Sequence, residues 1–106
     1  GELHIPASVQ DVLAARMDRL PAPEKDLLQI LSVIGKEVPL GLLRAVAERR
    51  EEDLYRELSR LQAGEFVYEQ PAFPEAEDTF KHALTQQVAY ESLLLEKRSS
   101  PRWVLQ

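Results

Sequence analysis

The spacing of the hydrophobic residues changes twice along this 106-residue chain. Up to Gly64 they recur at helical intervals, at 66–70 and 79–81 the residues favour strands, and from Ala83 the helical interval returns. Because helices and strands bury their apolar residues with different periods, the chain must combine helices with a small β unit. The pattern predicts a mostly α domain with a two-stranded hairpin before its last helix.

Capping and breaking residues predict the boundaries of these elements. Ser8 is a suitable N-cap for the first helix, Pro23 suits the first turn of the second, and Gly35 suits its end. The predicted helices lie at 8–20, 23–34, 39–48, 51–63 and 83–97, and the predicted strands at 66–70 and 79–81. The chain divides into a lead-in, one domain and a tail, at 1–7, 8–97 and 98–106. Four helices, a hairpin wing and a C-terminal helix follow the order of a winged-helix domain.

Composition excludes several kinds of chemistry. The chain has no cysteine, so it cannot form a disulfide, a thiolate nucleophile or a cysteine-based zinc site. Its four glycines are scattered singly, at 1, 35, 41 and 64. They therefore form no phosphate-binding loop, and neither His4 nor His82 has carboxylates at metal-ligand spacing. We predict no enzyme active site and no metal site, and no cofactor for the isolated chain.

The net charge and the hydropathy of the chain indicate which binding partners and which cellular compartment to expect. The formal net charge is −5, whereas proteins that bind nucleic acid usually present a basic surface. The fourth helix carries Arg56 and Arg60, but its first turn is acidic from Glu51 to Asp53. Binding of nucleic acid is therefore not expected, although a DNA-binding domain of a transcription regulator stays the alternative. No apolar run approaches the roughly 20 residues of a membrane span, so we expect a cytoplasmic protein without membrane contact.

Two positions in the predicted elements are candidates for contacts with a partner. Arg16 falls within the apolar stripe of the first helix, where it either extends past the apolar edge into solvent or pairs with another domain. His82, preceded by Lys81, lies where the second strand meets the last helix. A histidine at such a junction is most simply packed and hydrogen-bonded to backbone, so pattern alone does not give it a function.

The last helix has apolar residues on every side. A helix of this kind is buried all round, which a terminal helix of a small domain achieves only with a neighbour. We expect Tyr90 with Leu94, or Ala89 with Leu93, to form an exposed patch that meets another domain.

Three separated segments resemble one bacterial family. They are Val9-Gln10-Asp11-Val12-Leu13-Ala14-Ala15-Arg16-Met17-Asp18-Arg19-Leu20-Pro21, Val33-Ile34-Gly35-Lys36 and Phe80-Lys81-His82-Ala83-Leu84-Thr85-Gln86-Gln87-Val88-Ala89-Tyr90. The family is the large predicted ATPases of the STAND class, which are often fused to adenylate or guanylate cyclase domains and to TPR-like repeats. The resemblance covers about residues 5–97. It implies a winged-helix domain that follows a nucleotide-binding core, with that core and the helical repeats as partners.

The resemblance also implies a role for one residue. In the related NB-ARC proteins, a Met-His-Asp motif places its histidine on the β-phosphate of bound ADP, and His82 is the matching position here. The implied role is a latch that closes over ADP and opens when ATP replaces it. Ala83 stands where the motif has its acidic residue, so any contribution of that carboxylate is absent. The third possibility is a purely structural linker domain in which His82 has no ligand.

Overall fold

The computed structural model describes residues 8–99, and the predicted lead-in and the tail from 100 onward lie outside them. The described part is mostly helical, with one small antiparallel sheet. Its elements are α1 (Val9–Asp18), α2 (Ala22–Ile34), β1 (Glu37–Pro39), α3 (Leu40–Ala47), α4 (Glu51–Ala63), β2 (Val67–Gln70), β3 (Glu77–Phe80) and α5 (Ala83–Ser99). All five predicted helices are present, with ends shifted by two residues at most.

Local chemistry explains two of these helix ends. The hydroxyl of Ser8 accepts a hydrogen bond from the Asp11 amide at 3.0 Å, which caps the start of α1. Gly35 ends α2, and its amide still donates to the Leu31 carbonyl at 3.1 Å. The φ angle of Gly35 is +151°, a conformation that residues with a side chain rarely adopt. The chain can therefore leave α2 directly into β1.

The sheet is larger than the predicted hairpin. β2 and β3 pair antiparallel as expected, but β1 adds a third strand, and the order is β1-β3-β2. The prediction of two strands was wrong because β1 has only three residues, too few to show an alternation. Its fully buried Val38 lies opposite Asp78 of β3. β3 is thus the central strand, and it is held from both sides.

The core lies around α2, which packs against α3, α4, α5 and β1. Its largest fully buried apolar side chains come from nearly every element: Met17, Leu27, Leu28, Leu31, Val38, Leu43, Leu54, Leu61 and Phe80. The apolar stripe of α1 packs only in part, since Val9 and Val12 are exposed. Within residues 8–99, no helix has the length and apolarity to cross a membrane.

Two buried carboxylates connect α4 to neighbouring elements. Glu24 of α2 lies 2.9 Å from the Arg60 guanidinium, and Glu57 of α4 lies 2.7 Å from Arg49 Nε. Both glutamates are almost fully buried. Burial raises the pKa of the Glu57 carboxyl, although the adjacent Arg49 acts in the opposite direction. These arginines therefore hold the carboxylates in the interior as ion pairs.

Candidate functional site

The turn between β3 and α5 is held in place by backbone hydrogen bonds. The Lys81 amide donates to the Phe66 carbonyl at 3.0 Å, which ties the turn to the start of the hairpin. The His82 carbonyl accepts from the Thr85 amide at 3.0 Å and from the Gln86 amide at 3.4 Å, so His82 occupies the N-cap position of α5. Sequence reasoning placed His82 at this junction, and the structure confirms that location.

A third basic residue joins this turn from another part of the chain. The Phe80 amide donates to the Lys36 carbonyl at 3.0 Å, which brings Lys36 beside the turn. We call Lys36, Lys81 and His82 the junction patch; all three are exposed. Sequence reasoning did not select Lys36 as a site residue. Its only signal was its place in one of the three family-like segments, directly after the end of α2.

The basic side chains of the junction patch have no partner in the described part of the chain, as is also true of Arg19 and Lys97. Within residues 8–99, none of its three side chains makes an ion pair or a hydrogen bond. Six other basic residues do form ion pairs, namely Lys25, Arg44, Arg49, Arg50, Arg56 and Arg60. The patch also lies at the amino end of the 17-residue α5, where the helix dipole is positive and first-turn amides lack helical acceptors. This arrangement suits an anionic group such as a phosphate.

The outer side of α5 is the second feature of this region. Tyr90 and Leu94 are each 44% exposed, whereas Ala89 is fully buried, so the first of the two predicted patches is present. Tyr90 borders a depression of about 410 Å³ between α5 and α2 that is also lined by Val33. Val33 in turn borders a largely apolar depression of about 300 Å³ that includes Leu93 and reaches Val46 of α3. We call Val33, Val46, Tyr90, Leu93 and Leu94 the α2–α5 face.

Arg16 belongs to neither feature, although it contacts Phe66, whose carbonyl accepts from the Lys81 amide. Its guanidinium donates to the Gly64 carbonyl at the end of α4, and its Cζ lies 4.7 Å from the centroid of the Phe66 ring. These contacts join α1 to the end of α4 and to the start of the hairpin. The structure thus gives Arg16 a partner within the domain, and neither of its two sequence interpretations included that partner.

Neither a metal site nor a comparison with known proteins adds to the description of this region. Among the described residues, no three histidine, aspartate or glutamate side chains converge as a metal site would require. No protein-family model matches this chain, and no match was found among the curated proteins or the solved structures.

Proposed function

We propose that this chain is a non-catalytic regulatory winged-helix module of a STAND-type signalling ATPase, which docks on the nucleotide-binding domain and senses ADP through His82. The observation that supports it most is the junction patch, where exposed and unpaired Lys36, Lys81 and His82 meet the positive end of α5. The diphosphate of an ADP molecule bound to a docked domain would supply the anionic partner that these side chains lack. The neighbouring domain would supply the nucleotide-binding loop that this chain lacks.

The strength of such a contact fits regulation better than independent binding. One histidine contact to a phosphate contributes about 1–3 kcal/mol as a charge-assisted hydrogen bond. Coupling energies between two sites in allosteric proteins are of the same size, about 1–3 kcal/mol. This is enough to bias the closure of a domain, but it gives very little affinity by itself. We therefore expect the isolated domain to bind ADP weakly or not at all.

The α2–α5 face supports docking because it lies along the same helix. Tyr90 is seven residues beyond Ala83, which at the usual helical rise places it about 10 Å from the amino end of α5. One partner surface can therefore cover Tyr90 and Leu94 while a bound nucleotide meets His82. Exposed apolar patches that border depressions are typical of interaction sites. The nucleotide-binding domain and the helical repeats of the parent protein are the proposed partners.

Replacing His82 with alanine in the intact parent protein tests the proposal. Loss of about 1–3 kcal/mol from the closed state corresponds to roughly a 5-fold to 150-fold faster release of ADP. The measurement is the dissociation rate of a fluorescent ADP analogue, followed together with basal output. The matched control is Arg19→Ala, since Arg19 is an exposed cation at the end of α1. Equal rates within about twofold in a folded His82→Ala protein would instead favour the structural-linker role.

The helices and strands follow the order of a winged-helix domain, so DNA binding is the second candidate function. The charged surface of α4 does not favour it. Arg56 lies 2.9 Å from Asp53, and Arg60 is occupied by the buried Glu24. The arginines that would meet phosphates are thus already neutralised by carboxylates. We expect a Kd of roughly 100 µM or weaker for random duplex DNA at physiological salt. Fluorescence polarisation at several salt concentrations measures this, and tight, steeply salt-dependent binding would support the DNA-binding candidate.

A further inference from the structure

The two halves of α5 are attached to the domain in different ways. In the first half, the side chains of Thr85, Val88 and Ala89 are buried. Residues 90–97, which we call the second half of α5, include no buried residue. Most of the stability of a helix in a folded domain comes from packing of its apolar face. The second half of α5 therefore has little of the usual source of helix stability.

Polar contacts join the second half of α5 to the rest of the domain. Gln29 Nε2 donates to Ser92 Oγ at 2.8 Å, and Lys25 Nζ lies 2.9 Å from the Glu96 carboxylate. An exposed hydrogen bond from α1 reaches Glu91 at 2.9 Å. Ion pairs and hydrogen bonds on the surface contribute little to stability, because water and salt compete with both partners. These contacts orient the second half of α5 but hold it weakly.

Two depressions border the second half of α5. One, of about 560 Å³, lies between Glu96 and the connection of α1 to α2, where it is lined by Leu20 and Ala22. The other is the depression of about 300 Å³ that includes Leu93 and Lys97. Interdigitated side chains leave few spaces larger than a water molecule. The second half of α5 thus lies against α2 without the close packing of the core.

Lys25 is placed so that its contact with α5 can break at little cost. Its amine lies 2.9 Å from Asp18 at the end of α1 and 2.9 Å from Glu96. The hydrogen bond to Glu96 is the main cause that raises the pKa of the Lys25 amine above its ordinary value. When Glu96 leaves, Asp18 still compensates the charge of Lys25. The separation therefore leaves no unpaired charge on α2.

We propose that the second half of α5 unfolds locally as one unit while the rest of the domain stays folded, and that this unfolding takes the α2–α5 face apart. A continuous helix cannot swing away without breaking its own hydrogen bonds, so separation means unfolding. Tyr90, Leu93 and Leu94 of the face belong to this half, whereas Val33 and Val46 belong to the core helices. A partner that docks on the complete face stabilises the folded form. This coupling rests on the proposed docking, whereas the local unfolding does not.

Amide hydrogen exchange of the ¹⁵N-labelled 106-residue chain, followed by NMR, tests the local unfolding. The amides of residues 94–97 donate within the second half of α5, as each helical amide donates to the carbonyl four residues earlier. We expect all four to show one common protection factor, at least about 100-fold below those of Leu28 and Leu31 in α2. A protection that falls steadily toward Lys97 would mean ordinary fraying of a helix end and would overturn the proposal. Protection equal to that of α2 would also overturn it.

Two variants connect the unfolding to the contacts that hold this half. Lys25→Met should speed exchange of the four amides about two- to fivefold, the size expected for one partly exposed ion pair. Ser92→Ala should speed it by a similar or larger factor, because the buried Gln29 amide then loses its acceptor in the folded form. Arg19→Met is the matched control, since Arg19 is an exposed cation at the end of α1, and it should change exchange less than about 1.5-fold. Unchanged exchange in both Lys25→Met and Ser92→Ala would contradict the proposal.

The intact parent protein tests the coupling to docking. Lys25→Met should speed ADP release by the same factor of about two to five, because the docked form must hold the second half of α5 folded. If ADP release responds to His82→Ala but not to Lys25→Met, the docking stands and its coupling to α5 is overturned. If ADP release responds to neither, the proposed function fails, and hydrogen exchange in the isolated chain still decides whether this half unfolds as a unit.

Discussion

Replacement of Arg49 by alanine is expected to destabilise the domain by about 3–5 kcal/mol, because it leaves the buried carboxylate of Glu57 without its cation. Arg49 Nε lies 2.7 Å from Glu57, and Arg49 Nη2 lies 2.8 Å from Asp26. The same guanidinium also donates to the Pro23 and Ala47 carbonyls. Its loss therefore leaves the buried Glu57 carboxylate without a cation, whereas the exposed Asp26 carboxylate can be solvated by water. Urea unfolding followed by circular dichroism gives the free energy of unfolding directly.

Three control measurements test whether this loss of stability comes from the buried pair of Arg49 and Glu57. Arg50→Ala removes a neighbouring arginine that is mostly exposed, so its cost should stay below about 1 kcal/mol. The double variant Arg49→Met with Glu57→Leu should recover most of the loss, since a packed apolar pair can replace a buried ion pair. Acid should also reduce the cost of Arg49→Ala, because a protonated Glu57 no longer needs a cation. A loss under about 1 kcal/mol at neutral pH would show that water reaches Glu57 in the folded domain.

Replacement of Phe80 by alanine is expected to cost about 3–5 kcal/mol, the usual range for removing a buried aromatic side chain. Phe80 is 1% exposed and belongs to the hydrophobic core, at the end of the central strand. Its backbone also carries the hydrogen bond that brings Lys36 to the junction patch. The variant should therefore lose stability and also disturb the amide resonances of Lys36 and His82.

The chain provides a matched control for this second substitution. Phe73 lies in the connection between β2 and β3 and is 97% exposed. Phe73→Ala deletes the same phenyl ring from an exposed position and should change the free energy of unfolding by less than about 0.5 kcal/mol. Thermal unfolding of both variants under one set of conditions measures the difference. Similar losses in the two would mean that Phe80 is not part of the core.

The elements that could be predicted from sequence are those specified by local residues. Ser8 and Gly35 mark helix ends through their own hydrogen bonds and backbone preferences, and both are observed in those roles. β1 could not be predicted, because it is a strand only through its pairing with β3. The exposure of Val9 and Val12 was missed for a similar reason. A helical stripe shows which residues can be buried, whereas tertiary packing decides how many of them are.

The same distinction applies to the functional residues. The position of His82 followed from neighbouring residues, but Lys36 joins it only through a hydrogen bond between distant parts of the chain. Sequence reasoning did not select Glu57, which is buried against Arg49. Asp78 fell in the loop before a predicted strand and is instead a buried residue of the central strand. Long-range charge pairing leaves no periodic signal in a sequence.

The backbone conformation at Gly35 determines how the chain tolerates another residue at this position. Nothing lies within 4 Å of the place where a Cβ would be, so a larger residue at 35 would meet no steric obstacle. The difficulty is the φ angle of +151°, which any residue other than glycine would relieve by rotating the backbone. Such a rotation would move the adjacent Lys36, whose carbonyl accepts from the Phe80 amide. A substitution at this open position can therefore displace one residue of the junction patch without placing a side chain in the core.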